Sequence, residues 1–216
     1  MNVKLLTSTQ SIQDMEKFAA IAALTCHANT DKEFVPAEIL KRIIKAGHES
    51  ILEHINLTFS IEGLSRACLQ ELARHRHISL SVESTRYTLR RQLDGREVIS
   101  GGYQQKVKES IKRAGEYGFF GLIGALFGTL LRELHIQYPE LTNDELKYYI
   151  PEFWPTNLII TLNIREFRHI LDLRTAPAAL KEFRDLARSM FDEVPEQFRY
   201  LLEDCVHEEV THEEKE

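Results

Sequence analysis

The chain has 216 residues and a formal net charge of −6, with 43% hydrophobic and 28% charged residues. This balance is that of an ordinary globular protein, and the length predicts a single domain over residues 1–216. An acidic chain argues against a general affinity for nucleic acid or membrane surfaces, which usually requires a basic face. The three cysteines, Cys26, Cys68 and Cys205, suit neither a disulfide framework nor a paired-cysteine metal site.

The N-terminus lacks the apolar core and the small-residue cleavage site of a signal peptide. The longest apolar stretch, residues 117–131, is too short to cross a bilayer. We therefore predict a cytoplasmic protein that has no membrane partner.

Helices and strands are predicted to alternate in the first part of the chain. Strands are expected at two places, residues 2–7 and residues 55–62, and the second alternates apolar and polar side chains as a half-buried strand does. A helix between them begins behind a Ser11 cap. Another begins at Pro36 and ends at Gly47, which are typical start and stop residues.

A further helix, behind Ser65, is predicted to lead into a cluster of arginines. Beyond it, residues 77–84 are predicted to be irregular and residues 87–91 to form a strand. Residues 157–163 have the character of a short strand or buried segment. Other helices are predicted at residues 103–135, which carry Gly115, Gly118, Gly121, Gly124 and Gly128, at residues 164–174, and between Pro177 and Pro195.

Together these elements predict a helix-rich α+β fold with a small central, mainly antiparallel sheet. The glycines spaced by three or four residues would let another backbone approach closely, as in a subunit contact. Residues 205–216 are predicted to form a charged, solvated tail.

The arginine cluster is the most informative chemical feature. It contains Arg74, Arg76, Arg86, Arg90 and Arg91, against a single neighbouring acid, Glu83. A guanidinium group grips phosphate or carboxylate oxygens with two parallel hydrogen bonds, and nearby hydroxyls such as Ser84 and Thr85 are good phosphate partners. The cluster predicts an anion site, and its simpler alternative is a solvated basic patch.

Three sequence motifs, one of them within the arginine cluster, resemble those of a known protein family. Arg74-His75-Arg76 is followed after seven residues by Ser84, and the chain continues as Ser84-Thr85-Arg86-Tyr87. This pattern resembles the RHRx7S signature of the flavin-dependent thymidylate synthases. Two further blocks, GHESILEHINLTFSI at 47–61 and NIREFRHILDLR at 163–174, resemble motifs of the same family in the same order.

The resemblance implies an enzyme that makes dTMP from dUMP. It further implies that methylenetetrahydrofolate supplies the carbon, that FAD carries the hydride and that NADPH is the reductant. A homotetramer whose sites are shared between subunits is also implied.

Residue roles follow from the matching motif positions. The resemblance assigns FAD binding to Ser50, Arg74, His75, Arg76, Asn163, Arg165 and His169. It assigns dUMP binding to Glu71, Arg74, Glu83, Ser84, Thr85, Arg86, Lys147 and Arg174. Arg174 is also the implied catalytic residue, because a fixed cation beside the uracil ring stabilises developing negative charge.

The chain departs from the family pattern at several of these positions. The family glutamate two residues before the motif serine is replaced by Val82, so Glu83 is the candidate for its role. Either Gln70 or Glu71 faces the nucleotide, and Lys147 stands where the family has an arginine. Ser84 has no neighbouring base and is interpreted as a ligand of dUMP rather than a nucleophile.

Two other classes of function stay open at this stage. A non-catalytic phosphate-binding or RNA-binding module would use only the basic loop. A metal-dependent phosphohydrolase would use the segment from His48 to His54, but these histidines are six residues apart rather than the four that place two ligands on one helix face. No metal site is therefore predicted.

Overall fold

The structure is a computed structural model that describes residues 1–6, 11–26, 33–93, 127 and 130–208. Most of the predicted glycine-rich helix and the last part of the charged tail, residues 209–216, lie outside the described residues. Among the residues described, no helix has the length and apolar character needed to cross a membrane.

A four-stranded sheet organises the described chain. Its strands are β1 (Asn2–Leu5), β2 (Asn56–Ser65), β3 (Ile78–Val82) and β4 (Pro155–Asn163), in the spatial order β1-β2-β4-β3. β1 pairs antiparallel with β2, with Val3 opposite Ile61, and β3 pairs antiparallel with β4, with Leu80 opposite Ile160. The helix-rich α+β class with a small antiparallel sheet is thus confirmed, as are three of the four predicted strands, those at residues 2–7, 55–62 and 157–163.

Helices make up most of the remaining regular structure. They include α1 (Ile12–Thr25), α2 (Pro36–Lys45), α3 (Arg66–Leu72), α4 (Thr85–Leu93), α5 (Asn143–Leu146), α6 (Ile164–Arg174) and α7 (Lys181–Asp192). Short 3-10 helices lie at Glu49–His54, Lys147–Tyr149, Glu196–Leu201 and Glu203–Cys205, and residues 130–137 are also helical.

The two N-terminal helices begin and end as their sequences predict. Ser11 caps α1, because its hydroxyl oxygen accepts a hydrogen bond from the Asp14 amide at 3.1 Å. After α2 the chain turns at Gly47, whose φ of +71° lies in the left-handed region that glycine adopts without strain.

Two predictions around the arginine cluster are wrong. Residues 77–84 are predicted to be irregular, but Ile78–Val82 form β3, whose backbone hydrogen bonds are supplied by β4. Residues 87–91 are predicted to form a strand, but they belong to α4. Leu89 and Leu93, four residues apart, bury one face of this helix, so tertiary packing overrides the local strand preference.

One face of the sheet supplies the main hydrophobic core. Leu57 and Phe59 of β2 and Ile160 of β4 are buried together with Phe167 of α6 and Phe183 of α7. The rings of Phe59 and Phe167 meet edge to face, with centroids 5.6 Å apart. Burying a side chain of this size stabilises a fold by about 1.5–3 kcal/mol, so the core holds α6 firmly against the sheet.

The chain divides into two compact units. The first consists of Met1–Leu64, Cys68–Val82 and Thr156–Glu216, and contains the core just described; the second consists of Ser65–Ala67 and Glu83–Pro155. The second unit has its own core, in which Leu89, Leu93, Leu131 and Leu146 surround Trp154. A single domain over residues 1–216 stays a prediction.

Candidate functional site

The arginine cluster opens in the turn between α3 and β3. Arg74 and Arg76 are exposed there, whereas His75 between them is only 7% exposed. The turn therefore exposes two guanidinium groups to solvent and buries the imidazole within the first unit.

Buried His75 joins two side chains of α6. Its Nδ1 lies 3.0 Å from Oε1 of Glu166, and its Nε2 lies 3.2 Å from Nε of Arg174. Burial lowers the pKa of His75 below its ordinary value, with the Arg174 charge acting in the same direction and Glu166 opposing it. A neutral imidazole is thus favoured at this position near neutral pH.

Arg174, at the C-terminal end of α6, is held on several sides. Besides its contact with His75, its Nη1 donates a hydrogen bond to Oε2 of Glu71 at 3.1 Å. Its guanidinium carbon lies 4.6 Å from the centroid of the Phe183 ring, a cation–π contact. Among the described residues Nη2 has no hydrogen-bond partner, so the arginine combines a fixed position with a donor available to a ligand.

A groove of about 550 Å³ opens beside α6 in the same unit. Its lining includes Asn163, Arg165 and His169 at the start and middle of the helix. Asn163 is the N-cap residue, and its Oδ1 accepts a hydrogen bond from the Glu166 amide at 2.8 Å. The capped start of α6 therefore places three polar side chains along one wall of the groove.

Each carboxylate that lines the groove has a basic partner. Glu49 pairs with Arg168 at 3.0 Å, Glu53 with Arg165 at 2.6 Å, Glu166 with His75 at 3.0 Å, and Asp172 with His207 at 3.4 Å. The arginine partners neutralise two of these carboxylates, whereas the other two pair with imidazoles. His77 and His169 add two further imidazoles to the wall.

The Arg168 guanidinium fixes one side of the groove to the C-terminal segment. It is 5% exposed and donates to Asp204 through both terminal nitrogens, at 2.5 and 2.7 Å, and to the Leu201 carbonyl at 2.7 Å. Its hydrogen bonds lower the pKa of the Asp204 carboxyl below its ordinary value.

Two thiols of the first unit, Cys68 and Cys205, are poor nucleophiles. Burial raises the pKa of Cys68 to about 12 and that of Cys205, which lines the groove, to about 11. Both thiols are therefore protonated at neutral pH, when only a thiolate would attack.

In the second unit, hydroxyl and basic residues meet at the start of α4. Ser84 precedes the helix, Thr85 and Arg86 begin it, and Nε of Arg86 lies 3.0 Å from Oδ1 of Asp144. Lys147 Nζ lies 3.2 Å from the same oxygen. The lysine hydrogen bond and then the arginine charge lower the pKa of Asp144. One acid thus gathers two cations near a helix N-terminus, where backbone N–H groups favour anions.

Glu83 is held by a short relay of polar side chains in this unit. Its Oε1 accepts a hydrogen bond from Nε2 of Gln92 at 2.8 Å, and Oε1 of Gln92 accepts one from Nε1 of Trp154 at 2.9 Å. Gln92 and Trp154 are buried, so the relay fixes the orientation of the carboxylate immediately before Ser84.

Comparison with known proteins assigns this chain to a family. The family model described as "Thymidylate synthase complementing protein" matches residues 4–198. A flavin-dependent thymidylate synthase of Campylobacter jejuni is 36% identical over 196 residues, which cover 88% of this chain and 92% of that protein. The chain belongs to the flavin-dependent thymidylate synthase family.

A second relative in this family comes from Helicobacter pylori. The flavin-dependent thymidylate synthase of that organism is 42% identical over 164 residues, or 74% of this chain and 76% of that protein. A crystal structure of H. pylori thymidylate synthase X with FAD and dUMP matches this fold with a TM-score of 0.79 at 35% identity, covering 96% of this chain and all of that one. The family resemblance drawn from the three motifs is confirmed.

The structure brings several of the residues assigned by family resemblance together. In the first unit Glu71 lies between Arg74, at 3.7 Å, and Arg174, at 3.1 Å. The FAD-assigned residues Asn163, Arg165 and His169 line the groove, and exposed Ser50 lies on the 3-10 turn whose glutamates face it. The second unit holds the remaining dUMP-assigned residues, Glu83, Ser84, Thr85, Arg86 and Lys147. The binding roles of all these residues stay predictions.

Several residues of this flavin-dependent thymidylate synthase site were missed in the sequence. Glu166 stands three residues after an asparagine cap, a spacing that indicates helix capping rather than a contact with a histidine 91 residues away. Phe183 and Trp154 have the character of core residues. Asp144, Gln92 and His77 carry no motif, so no sequence signal pointed to their neighbours.

Proposed function

We propose that this chain converts dUMP to dTMP with FAD as its bound cofactor. Methylenetetrahydrofolate supplies the carbon, NADPH is the reductant, and the working form is a cytoplasmic homotetramer with shared active sites. The observation that carries the proposal is the Arg174 guanidinium, which is held by His75, Glu71 and Phe183 and keeps one donor nitrogen for a ligand. Family membership favours this enzyme over the RNA-binding module and the metal-dependent phosphohydrolase.

The groove beside α6 fits a flavin dinucleotide in size and charge. Ligand pockets commonly enclose about 300–1,000 Å³, and this groove falls within that range. The pyrophosphate of FAD requires donors and cations, which Arg165, His169 and His77 provide. Because Glu49 and Glu53 are each paired with an arginine, they oppose an anionic cofactor less. When bound, FAD supplies the hydride that completes the methyl group.

Arg174 is proposed to act on the uracil ring of dUMP. Its fixed positive charge stabilises negative charge that develops on the ring and so makes the ring carbon more nucleophilic. Glu71 holds Nη1 and leaves Nη2 to the substrate, with the Arg174 side chain only 19% exposed. The low exposure strengthens the interaction, because little water screens it.

The phosphate of dUMP is proposed to bind the hydroxyl and basic residues that begin α4. Ser84 and Thr85 contribute hydroxyls, while Arg86 and Lys147 contribute charge. Both cations already share Asp144, which orients them at 3.0 and 3.2 Å. The oriented Glu83 is the candidate for the role of the family glutamate, because the Gln92 relay keeps its carboxylate beside Ser84.

Shared sites are supported by the exposure of the signature arginines. Arg76 has no ion pair or hydrogen bond to another side chain in the described part of the chain, and the Arg74 side chain is 76% exposed. Long, exposed cations are suited to a ligand that another copy helps to hold. Light scattering after gel filtration is expected to give a mass four times that of the 25.0 kDa chain.

The reaction is tested on the purified protein by its colour and its product. We expect a flavin absorption band that bleaches with NADPH in the absence of air. Adding dUMP and methylenetetrahydrofolate should then restore the band and form dTMP, measured by chromatography. A colourless protein that cannot be loaded with FAD and binds RNA in a salt-sensitive way would support the binding module instead. Phosphate release that stops with a chelator would support the phosphohydrolase.

Replacing Arg76 by alanine is expected to weaken FAD binding about tenfold, because a hydrogen bond to a charged group typically contributes 1.5–3 kcal/mol. The measurement is a titration of apoprotein with FAD, followed by flavin fluorescence. Arg42→Ala is the matched control, since Arg42 is exposed on α2 and its Nε contacts only the Glu38 carbonyl. An unchanged FAD affinity for Arg76→Ala would remove Arg76 from the flavin site.

A further inference from the structure

The groups behind Arg174 form a buried chain of hydrogen bonds. Glu166 and His75 are each 7% exposed, and they connect in the order Glu166, His75, Arg174, Glu71. Only the outer part of this chain reaches solvent, because the Arg174 side chain is 19% exposed and that of Glu71 is 37% exposed. Both inner residues are thus largely shielded from water, and their contacts lead to the arginine.

The geometry determines where the proton of His75 resides. Nε of an arginine always carries a hydrogen, so it can only donate to Nε2 of His75 across the 3.2 Å that separate them. Nε2 must then be the unprotonated nitrogen, and Nδ1 carries the hydrogen that it donates to the Glu166 carboxylate at 3.0 Å. The carboxylate thus selects the tautomer that can hold Arg174.

Aromatic packing restricts the same pair of side chains. The ring of Phe183 lies edge-on to His75, with centroids 5.9 Å apart, and lies against the guanidinium of Arg174 at 4.6 Å. His169 also contacts His75, with ring centroids 5.7 Å apart. The imidazole consequently has little freedom to rotate away from the arginine.

We propose that His75 and Glu166 are positioning residues for Arg174, with His75 acting as a neutral imidazole whose Nε2 accepts the hydrogen bond from Nε of the arginine. This inference rests on the proposed action of Arg174 on dUMP. It differs from the direct flavin contact that the family resemblance implies for His75. Replacing a positioning residue should lower kcat while FAD stays bound, whereas replacing a flavin contact should release FAD.

A pH effect follows from the charges around the pair. The titratable and charged groups that surround it are Glu166, His169 and Arg174 on α6, Glu71 and Cys68 on α3, and Glu182 on α7. A proton on Nε2 would remove the acceptor and place an imidazolium against the guanidinium. Because burial lowers the pKa of His75, this occurs only below the ordinary imidazole value of about 6.5. Arg174 is therefore held in place at neutral pH and released in acid.

Activity measurements on three variants test the positioning role. His75→Leu removes the acceptor, and we expect kcat for dTMP formation to fall about 10–100-fold while FAD content is kept. His75→Gln can offer an amide oxygen that does not titrate, so it should recover most of that loss and abolish the acid limb of the pH–rate profile. Glu166→Gln should move the acid limb to lower pH, because the carboxylate raises the pKa of His75. His54→Gln changes an exposed histidine that is not part of the groove lining; it is the control and should leave the limb unchanged.

The outcomes separate the possible roles. Loss of FAD from His75→Leu would overturn the positioning role in favour of flavin contact. Equal rates for His75→Leu and His75→Gln, with an acid limb that none of the variants moves, would also overturn it. Melting temperatures of the FAD-loaded proteins identify a variant that loses activity through unfolding. If a His75 variant unfolds, the shift of the acid limb in Glu166→Gln tests the positioning role instead.

The tautomer can be read without any reaction. In protein with ¹⁵N-labelled histidine, we expect the His75 ring at pH 7.5 to carry its hydrogen on Nδ1 and none on Nε2, with His75→Gln used to assign the signals. A hydrogen on Nε2 at that pH would end the proposal even if dTMP forms. The expected tautomer in a protein that makes no dTMP would leave the His75 geometry intact and reject the proposed function.

Discussion

Arg174→Ala is expected to lower kcat for dTMP formation by about 10²–10³-fold while the protein keeps its FAD. Removing one preorganised donor from a site of developing negative charge typically has an effect of this size. The guanidinium is suited to that role, because His75, Glu71 and Phe183 fix it before substrate arrives. The measurement is single-turnover formation of dTMP from reduced, substrate-saturated protein.

Two further variants make this experiment specific. Arg174→Lys keeps the charge but loses the planar fork, so its rate should lie between those of the parent and Arg174→Ala. Arg184→Ala changes a half-buried arginine of α7 that donates only to the Pro177 and Ala179 carbonyls, and it should react at the parental rate. Formation of dTMP at the parental rate by Arg174→Ala would show that the residue has no part in catalysis.

Arg168→Met is expected to lower the free energy of unfolding by about 3 kcal/mol, which corresponds to a fall of about 6–12 °C in melting temperature. The buried guanidinium joins Glu49, Asp204 and the Leu201 carbonyl, so its loss leaves two carboxylates without their cation. Because both carboxylates are partly exposed, at 31% and 51%, water compensates some of the loss. Differential scanning calorimetry measures the change.

The surface pair of α7 provides the matched control for this variant. Lys181→Met breaks an exposed ion pair with Asp185, 2.8 Å long, and should change the free energy of unfolding by at most about 0.5 kcal/mol. Equal melting temperatures for Arg168→Met and Lys181→Met would mean that the buried network contributes nothing to stability. Acid should act in the same direction as the substitution. The pKa of Asp204 is lowered in the fold, so its contribution is present above the unfolded pKa and lost as pH falls through the folded one.

Local patterns in the sequence predict elements well where they coincide with the tertiary structure. The alternation before Gly63 yields β2, and the Pro36 and Gly47 signals bound α2. The two errors, at β3 and α4, occur where local preference and packing disagree. β3 is not predicted because its hydrogen-bonding partner, β4, is about 80 residues away in the chain, with Ile78 opposite Leu162. α4 is not predicted because its conformation depends on the burial of Leu89 and Leu93 in the tertiary structure.

The sequence by itself determined the family, the α+β class and the set of residues that carry basic and hydroxyl chemistry. These properties depend on residue types and on their spacing over short segments, and both are available without coordinates. Only the tertiary structure decided which of these residues contact each other and which are buried. Arg174 meets His75 across 99 residues and Glu71 across 103, and Glu166 joins them from a position that resembles an ordinary helix start. Such contacts depend on how the sheet and α6 share one core, and packing between distant segments leaves no periodic mark in the sequence.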